Sequence, residues 1–316
     1  MNSLADDALV VQRIFAHIDN RTTDVGAAGW REPVAHYRSE QRFALELEQV
    51  LRRVPTPFCA SAALLEAGDY VARTAAGVPL LAVRDNDGQA RVFRNACRHR
   101  SMQLADGTGC KRAFICPYHA WTYDLEGRLR GVPHEDGFPG LDKESRGLVP
   151  VETVEMHGLV FVTQNGPGPA TSAYEELAGL AVPSQRLVTT SEQEIAANWK
   201  IVTEGFLDVY HLFPNVMLVT FSKNTTMLVA EPVAVDRTRL INYMLAHRNP
   251  SKGADREALE RDLRFITAGT AQDREAANAI QRGIASEAKE FFEFGLFESA
   301  IVHFHRTLHA LMDEPA

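Results

Sequence analysis

Four side chains between positions 97 and 119 are the clearest chemical signal in the chain. It reads Cys97-Arg98-His99, then sixteen residues, then Cys116-Pro117-Tyr118-His119. Thiolate sulfur and imidazole nitrogen are donors that suit iron or zinc. The order of the donors bears on which metal they hold. A zinc finger usually gathers Cys-x-x-Cys in one place and His-x-x-x-His in another. Here each clamp holds one Cys and one His. Mixed clamps suit a two-iron cluster in which both Cys hold one iron and both His the other. The competing readings are a structural zinc site and a coincidence of four residues.

Both clamps must be presented by short, stiff elements, and the surrounding sequence supplies them. From about Val54 to Thr163 the pattern is one of short strands. Pro79–Val83 and Ala90–Phe93 flank Asp85-Asn86-Asp87-Gly88, a hairpin signal. Ala113-Phe114-Ile115 leads into the second clamp. Trp121-Thr122-Tyr123 runs into a turn at Asp124-Leu125-Glu126-Gly127, and Gly158–Thr163 closes the section. The clamps thus fall on loops between strands. Gly166-Pro167-Gly168-Pro169 reads as a linker.

At these residues the sequence resembles the Rieske [2Fe–2S] motif, C-x-H…C-x-x-H. The flanking words agree, Cys97-Arg98-His99-Arg100 and Cys116-Pro117-Tyr118-His119-Ala120-Trp121. The resemblance implies that Cys97, His99, Cys116 and His119 bind the cluster. Two neutral imidazoles in place of two thiolates make it less negative and raise its potential.

Before that section, a short helix is expected near Ala8–Ile18 and another over Ser39–Arg53, with Phe43, Leu47, Val50 and Leu51 on one face. After it, Ala173–Leu180 is helix-like. Asn198-Trp199-Lys200 opens a helix running to about His211. Strands follow over Val216–Phe221, Thr226–Val235 and Arg239–Leu245. Helices are expected over Asp255–Thr267, Asp273–Phe292 and Glu298–Met312, the second with a stripe of Ala276, Ala277, Ile280, Ile284, Ala288 and Phe291.

On the helix after Trp199, Asp208 and His211 are three apart and share a face. A carboxylate beside a metal-bound imidazole can accept its second ring proton and fix the tautomer. The run Asn198-Trp199-Lys200…Glu204-Gly205-Phe206-Leu207-Asp208-Val209-Tyr210-His211 resembles the catalytic segment of Rieske non-haem iron oxygenases, the aromatic ring-hydroxylating dioxygenase α-subunit family. Asp273 stands before Gln281-Arg282-Gly283-Ile284, where that family places its carboxylate ligand. The first turn of the expected helix would also favour its charge. The resemblance implies an α+β chain. It would join a small all-β Rieske domain (54–165) to a helix-grip (START/Bet v1-like) catalytic domain (166–316), with a helical segment (1–53) packing on the latter. A mononuclear Fe(II) would be held by His211, Asp273 and a second His.

The family usually places that second His five positions after the first, where this chain has Val216. Phe213–Val219 resembles a strand that the family places after a long intervening segment. Two readings follow. Either a segment is omitted between Leu212 and Phe213, which the abrupt junction favours, or the protein lacks it and its iron site is incomplete. His303 and His305 are poorer substitutes, because their region resembles an ordinary terminal helix.

The resemblance implies a terminal oxygenase component. It would take electrons from NAD(P)H through a separate reductase, often with a ferredoxin, and use O₂ to hydroxylate or dihydroxylate a small organic substrate. Asp208 in place of Glu leans toward aromatic or other apolar substrates. Head-to-tail homotrimers are implied too, with Asp208 bridging His211 and His119 of the partner subunit. A rival is a Rieske electron-transfer or sensing protein on a degenerate, iron-free oxygenase scaffold.

Composition bounds the rest. The chain has 316 residues, 45% of them hydrophobic, enough for two domains. A net charge of −8 and the absence of a basic run argue against nucleic acid as a partner. No apolar run has the length of a membrane span and no leader is indicated, so a cytoplasmic protein is expected. There Cys59 and Cys110 would be free thiols. No Gly-rich nucleotide fingerprint is present, which fits dependence on a partner for NAD(P)H.

Overall fold

A computed structural model describes residues 7–168, 174, 177, 185–206, 210–221, 223–247 and 254–313. The chain divides into two compact units: Arg52–Pro169, and Met1–Leu51 together with Ala170–Ala316. The described helices are α1 (Asp7–Asn20), α2 (Glu40–Glu46), α3 (Trp199–Glu204), α4 (Ala254–Ile284) and α5 (Ser299–Asp313). The fold is α+β. None of these helices is long and apolar enough to cross a membrane.

The 52–169 unit is built on an antiparallel seven-stranded sheet. Its spatial order is Thr56–Ala60, Leu159–Thr163, Pro150–Met156, Ala90–Arg94, Val78–Arg84, Asp69–Ala75 and Gly107–Cys110. The expected hairpin forms between Val78–Arg84 and Ala90–Arg94. Asp85 closes it by accepting from the backbone N–H groups of Asp87 (2.9 Å) and Gln89 (2.8 Å). A second, three-stranded sheet comprises Phe114–Ile115, Thr122–Tyr123 and Leu129–Gly131. Its turn needs Gly127, which has φ +80°. A Cβ there would meet the Phe93 ring at 2.5 Å. Both sheets share one core, in which Leu81, Phe93, Phe114, Trp121 and Tyr123 pack with Cys97 and Cys116. The carbonyl of Arg52 accepts from the backbone N–H groups of both Gln164 (2.9 Å) and Asn165 (2.8 Å), so the strands entering and leaving this unit meet at one atom.

The other unit carries an antiparallel five-stranded sheet. Its order is Arg186–Ile195, Arg237–Ala246, Asn224–Ala234, Val216–Thr220 and Tyr210–Leu212. Ile201, Val202, Met217, Leu228, Leu240, Ala277 and Ile284 form its core with Val34 and Tyr37 from the N-terminal arm. That arm is tied in twice more. Trp30–Pro33 pairs antiparallel with Phe291–Phe294, and Glu46 is buried against α3. There its carboxylate accepts from Lys200 Nζ (2.8 and 2.9 Å) and from Trp199 Nε1 (2.8 Å).

Three expected elements differ. The two helices over 255–267 and 273–292 are one helix, α4, running through Gly269. A glycine costs a helix only about 1 kcal/mol. A face with Leu259, Ile266, Thr270, Ala277 and Ile284 buried outweighs it. The helix stops at Ile284, so Phe291 lies on a strand and Ile280 is exposed. The helix opened by Asn198 ends at Glu204, and His211 lies on the strand Tyr210–Leu212. The expected helix over Ala173–Leu180 lies outside the described residues, apart from positions 174 and 177.

Candidate metal centres

The two Cys–His clamps are near copies of one loop. Cys97 N–H donates to Met102 O and Ser101 N–H to Cys97 O (2.8 and 2.9 Å). In the second, Cys116 N–H donates to Trp121 O and Ala120 N–H to Cys116 O (2.8 and 2.9 Å). Ser101 and Ala120, each four residues after its Cys, both take left-handed φ, +59° and +54°. Each loop thus turns back on its own cysteine and projects its imidazole outward.

Like donors meet like. His99 Nδ1 and His119 Nδ1 lie 3.1 Å apart at the surface. Cys97 and Cys116 are neighbours in the core, 2% and 3% exposed. No three of the four donors close within the 4.8 Å of a single-ion site. A pair of thiols backed by core and a pair of facing imidazole nitrogens fit a two-iron cluster, one iron to each pair, better than one zinc. Burial lowers the His99 pKa, helped by His119 and Arg100, which favours the neutral ring that a ligand must present. Trp121 stacks on the His99 ring (5.0 Å, 8°), and Phe138 meets both rings edge-on. Burial raises the Cys97 thiol pKa, while the Tyr123 hydroxyl and the His99 backbone N–H favour the thiolate. Tyr123 Oη lies 3.3 Å from Cys97 Sγ and accepts from Arg98 N–H at 2.9 Å. Its role was not read from the sequence, where Tyr123 is only one residue of a short strand.

Cys59 and Cys110 are free. Cys59 is buried and its pKa is pushed up to about 12 by desolvation. Cys110 is exposed, 3.8 Å from Ala67 O.

The second constellation is not assembled in the same way. His211 Nε2 lies 3.1 Å from Pro214 O, in a hairpin whose register pairs His211 with Met217 and Leu212 with Val216. The chain therefore turns directly across Leu212–Phe213. Burial lowers the His211 pKa to about 4, with His303 adding to the effect. Asp273 sits within α4, not in a first turn, so the helix dipole has no hold on it. It lines a largely apolar cavity of about 240 Å³ with Ile195, Ile201, Val202, Glu204 and Phe206. Burial alone raises its pKa. Among the described residues, His211 and Asp273 do not converge with a third donor. Asp208 lies outside the described residues. The Gln281 of the Gln-Arg-Gly word accepts from Asn198 N–H at 2.9 Å, tying α4 to the start of α3.

One group of donors was missed. Glu32, His36 and His309 bring one ligand atom each within 4.8 Å of the others. The sequence separates them by most of its length, and only the spacing of His36 four residues after Glu32 hints at a contact.

Comparison with known proteins agrees with this architecture. Residues 55–153 match the Rieske [2Fe-2S] domain, and residues 210–314 match the catalytic domain of the ring hydroxylating alpha subunit. The carnitine monooxygenase oxygenase subunit of Acinetobacter baumannii is 31% identical over 195 residues, which cover 58% of this chain and 52% of that protein. The biphenyl 2,3-dioxygenase subunit alpha of Rhodococcus jostii is 32% identical over 188 residues, covering 55% and 41%. The chain thus spans about half the length of the curated relatives it matches. A quaternary ammonium Rieske monooxygenase, solved with an inhibitor, superposes with a TM-score of 0.80. That match covers 92% of this chain and 96% of that one at 22% identity, a likeness of fold. The chain thus carries a region similar to a Rieske [2Fe-2S] domain followed by a region similar to a ring-hydroxylating α-subunit catalytic domain.

Proposed function

We propose that the chain is the terminal oxygenase component of a multicomponent Rieske oxygenase. Cys97 and Cys116 hold one iron of a [2Fe–2S] cluster, and His99 and His119 the other. The observation that carries this is the pairing of like donors by twin loops, imidazole facing imidazole and thiol beside thiol. When bound, the cluster supplies single electrons. The chain's own residues keep the thiolate side dry and leave the imidazole side at the surface, where a partner can reach it.

The reading includes electrons from NAD(P)H through a separate reductase, with or without a ferredoxin. O₂ and an aromatic or other apolar organic compound are the co-substrates. The mostly aliphatic cavity beside Asp273 supports an apolar substrate. Relatives whose names specify carnitine or choline and others that specify biphenyl or chlorobenzene are both similar to this chain, so product assays should include both classes. A head-to-tail homotrimer, with Asp208 between His211 and His119 of the partner subunit, is part of the same reading. So is Fe(II) at His211 and Asp273.

A second reading has a specific observation in its favour. His211 is hydrogen-bonded to Pro214, and among the described residues no third donor joins it with Asp273. A Rieske electron-transfer or sensing protein without the mononuclear iron would look like this. Iron content distinguishes the two. The oxygenase reading expects three irons per chain, falling to two in His211→Gln or Asp273→Asn with the cluster spectrum unchanged. Two irons in the unaltered full-length protein, with no oxygenated product from either substrate class, would overturn it.

A further inference from the structure

Glu32 is fully buried, on the strand Trp30–Pro33. Its carboxylate faces His36 from the turn that follows and His309 from α5. His36 Nδ1 lies 2.6 Å from Oε1, and His309 Nε2 lies 3.1 Å from both oxygens. Two ligands on one ion with bonds near 2.1 Å sit about 3.0–3.4 Å apart. The His309–Glu32 distances fall in that range, the His36–Glu32 contact is shorter, and the three donor atoms all lie within 4.8 Å of one another. Both imidazoles are partly exposed, which leaves the ion a route in and positions for water.

A second observation is independent of that spacing. His305 is 0% exposed, and its Nε2 is engaged by Glu204 Oε1 (3.0 Å) and Tyr37 Oη (3.2 Å). Its Nδ1 is buried, has no hydrogen-bond partner, and points at Glu32 Oε2 from 3.5 Å. Such a nitrogen either holds a proton that the Glu32 carboxylate meets only at that long distance or turns a lone pair toward the carboxylate. Each is costly in a buried site. A divalent cation between these groups removes both difficulties, because the lone pair becomes a ligand and the carboxylate gains a counter-charge.

We propose that Glu32, His36 and His309 form a site for a divalent first-row transition metal, with His305 Nδ1 available as a fourth donor. All donors are nitrogen or oxygen, and two or three imidazoles with one carboxylate suit Zn²⁺ and its neighbours. The ion would clamp the N-terminal arm to α5. It would also act on Glu204, in the wall of the cavity beside Asp273, through His305. The site is separate from the Cys–His clamps and does not depend on the oxygenase reading.

The test uses purified full-length protein with its cluster intact, freed of loosely held ions by a mild chelator. Zn²⁺ is then titrated against a chromophoric competitor. One Zn²⁺ per chain should bind and raise the melting temperature. His36→Gln and His309→Gln can still donate to Glu32, so they should fold, as circular dichroism and the cluster spectrum would show. They should bind Zn²⁺ at least about a hundredfold more weakly. X-ray absorption at the zinc edge of the unaltered protein needs no variant and should show nitrogen and oxygen neighbours only. Failure to bind Zn²⁺ against the competitor, equal affinity in both variants, or sulfur in the zinc shell would each overturn the proposal.

Discussion

The Cys–His clamps and the His211–Asp273 pair differ in how their donors are held. In the 52–169 unit, four donors sit on two adjacent loops with the same hydrogen-bond pattern, which, with Trp121 stacked on His99, brings the imidazoles together. In the other unit, His211 lies on an edge strand and bonds to Pro214, while Asp273 lies in a long helix and lines an apolar cavity. Short-range loops can preassemble a site before any metal arrives. Ligands carried on separate elements depend on the whole core to meet. The same unit uses its best-buried charged groups elsewhere, in Glu46–Lys200 and around Glu32.

The largest expected effect tests the preassembled side. Cys116→Ser should abolish the cluster, with loss of red-brown colour and of a reduced-state EPR signal of low average g. A variant that kept both would break the assignment. Next is the scaffold of the other unit. Glu46→Ala strands the fully buried Lys200 ammonium and the Trp199 N–H. Burial already lowers the Lys200 pKa against the pull of Glu46. Losing a partner of such a pair costs roughly 3–5 kcal/mol. Denaturant melts should show that loss while the cluster's visible spectrum stays unchanged. Equal damage to the spectrum would show that the two regions are not independent.

A smaller effect is expected at the turn supporting the second clamp. Gly127→Ala forces a side chain into left-handed backbone, about 1–2 kcal/mol, and pushes it against Phe93. The 52–169 unit should melt earlier, with cluster content falling in proportion to unfolding. The smallest change is Tyr123→Phe. It deletes the hydroxyl beside Cys97 Sγ and leaves the ring in place. Hydrogen bonds to cluster sulfur raise the potential. Protein-film voltammetry should find it lowered, with the cluster retained. An unchanged potential would mean that the hydroxyl serves only Arg98 N–H.

What the sequence made legible follows the same division. The Cys–His clamps, the strands around them and the Asp85–Gly88 turn depend on neighbours in the chain, and each was visible. Asp273 is expected at the start of a second helix, but the buried face running from Leu259 to Ile284 carries one helix through Gly269. The helix opened by Asn198-Trp199-Lys200 is expected to run to about His211. His211 lies on a strand instead, because the hairpin to Met217 claims it. The Glu32–His309 contact was invisible, since nothing local in either segment points to the other.

The carbonyl of Arg52, which receives both Gln164 and Asn165, has one further consequence. In topological terms the cluster-bearing unit is a guest inserted into a host chain, and its own first and last strands are closed on each other. Loop-closure entropy depends on the separation of the ends that must be joined, and grows only slowly with what lies between them. The host can therefore carry more than a hundred inserted residues at about the entropic cost of a short turn. Insertions or deletions inside the guest should leave the host's folding equilibrium almost unchanged, so long as that one carbonyl keeps its two donors.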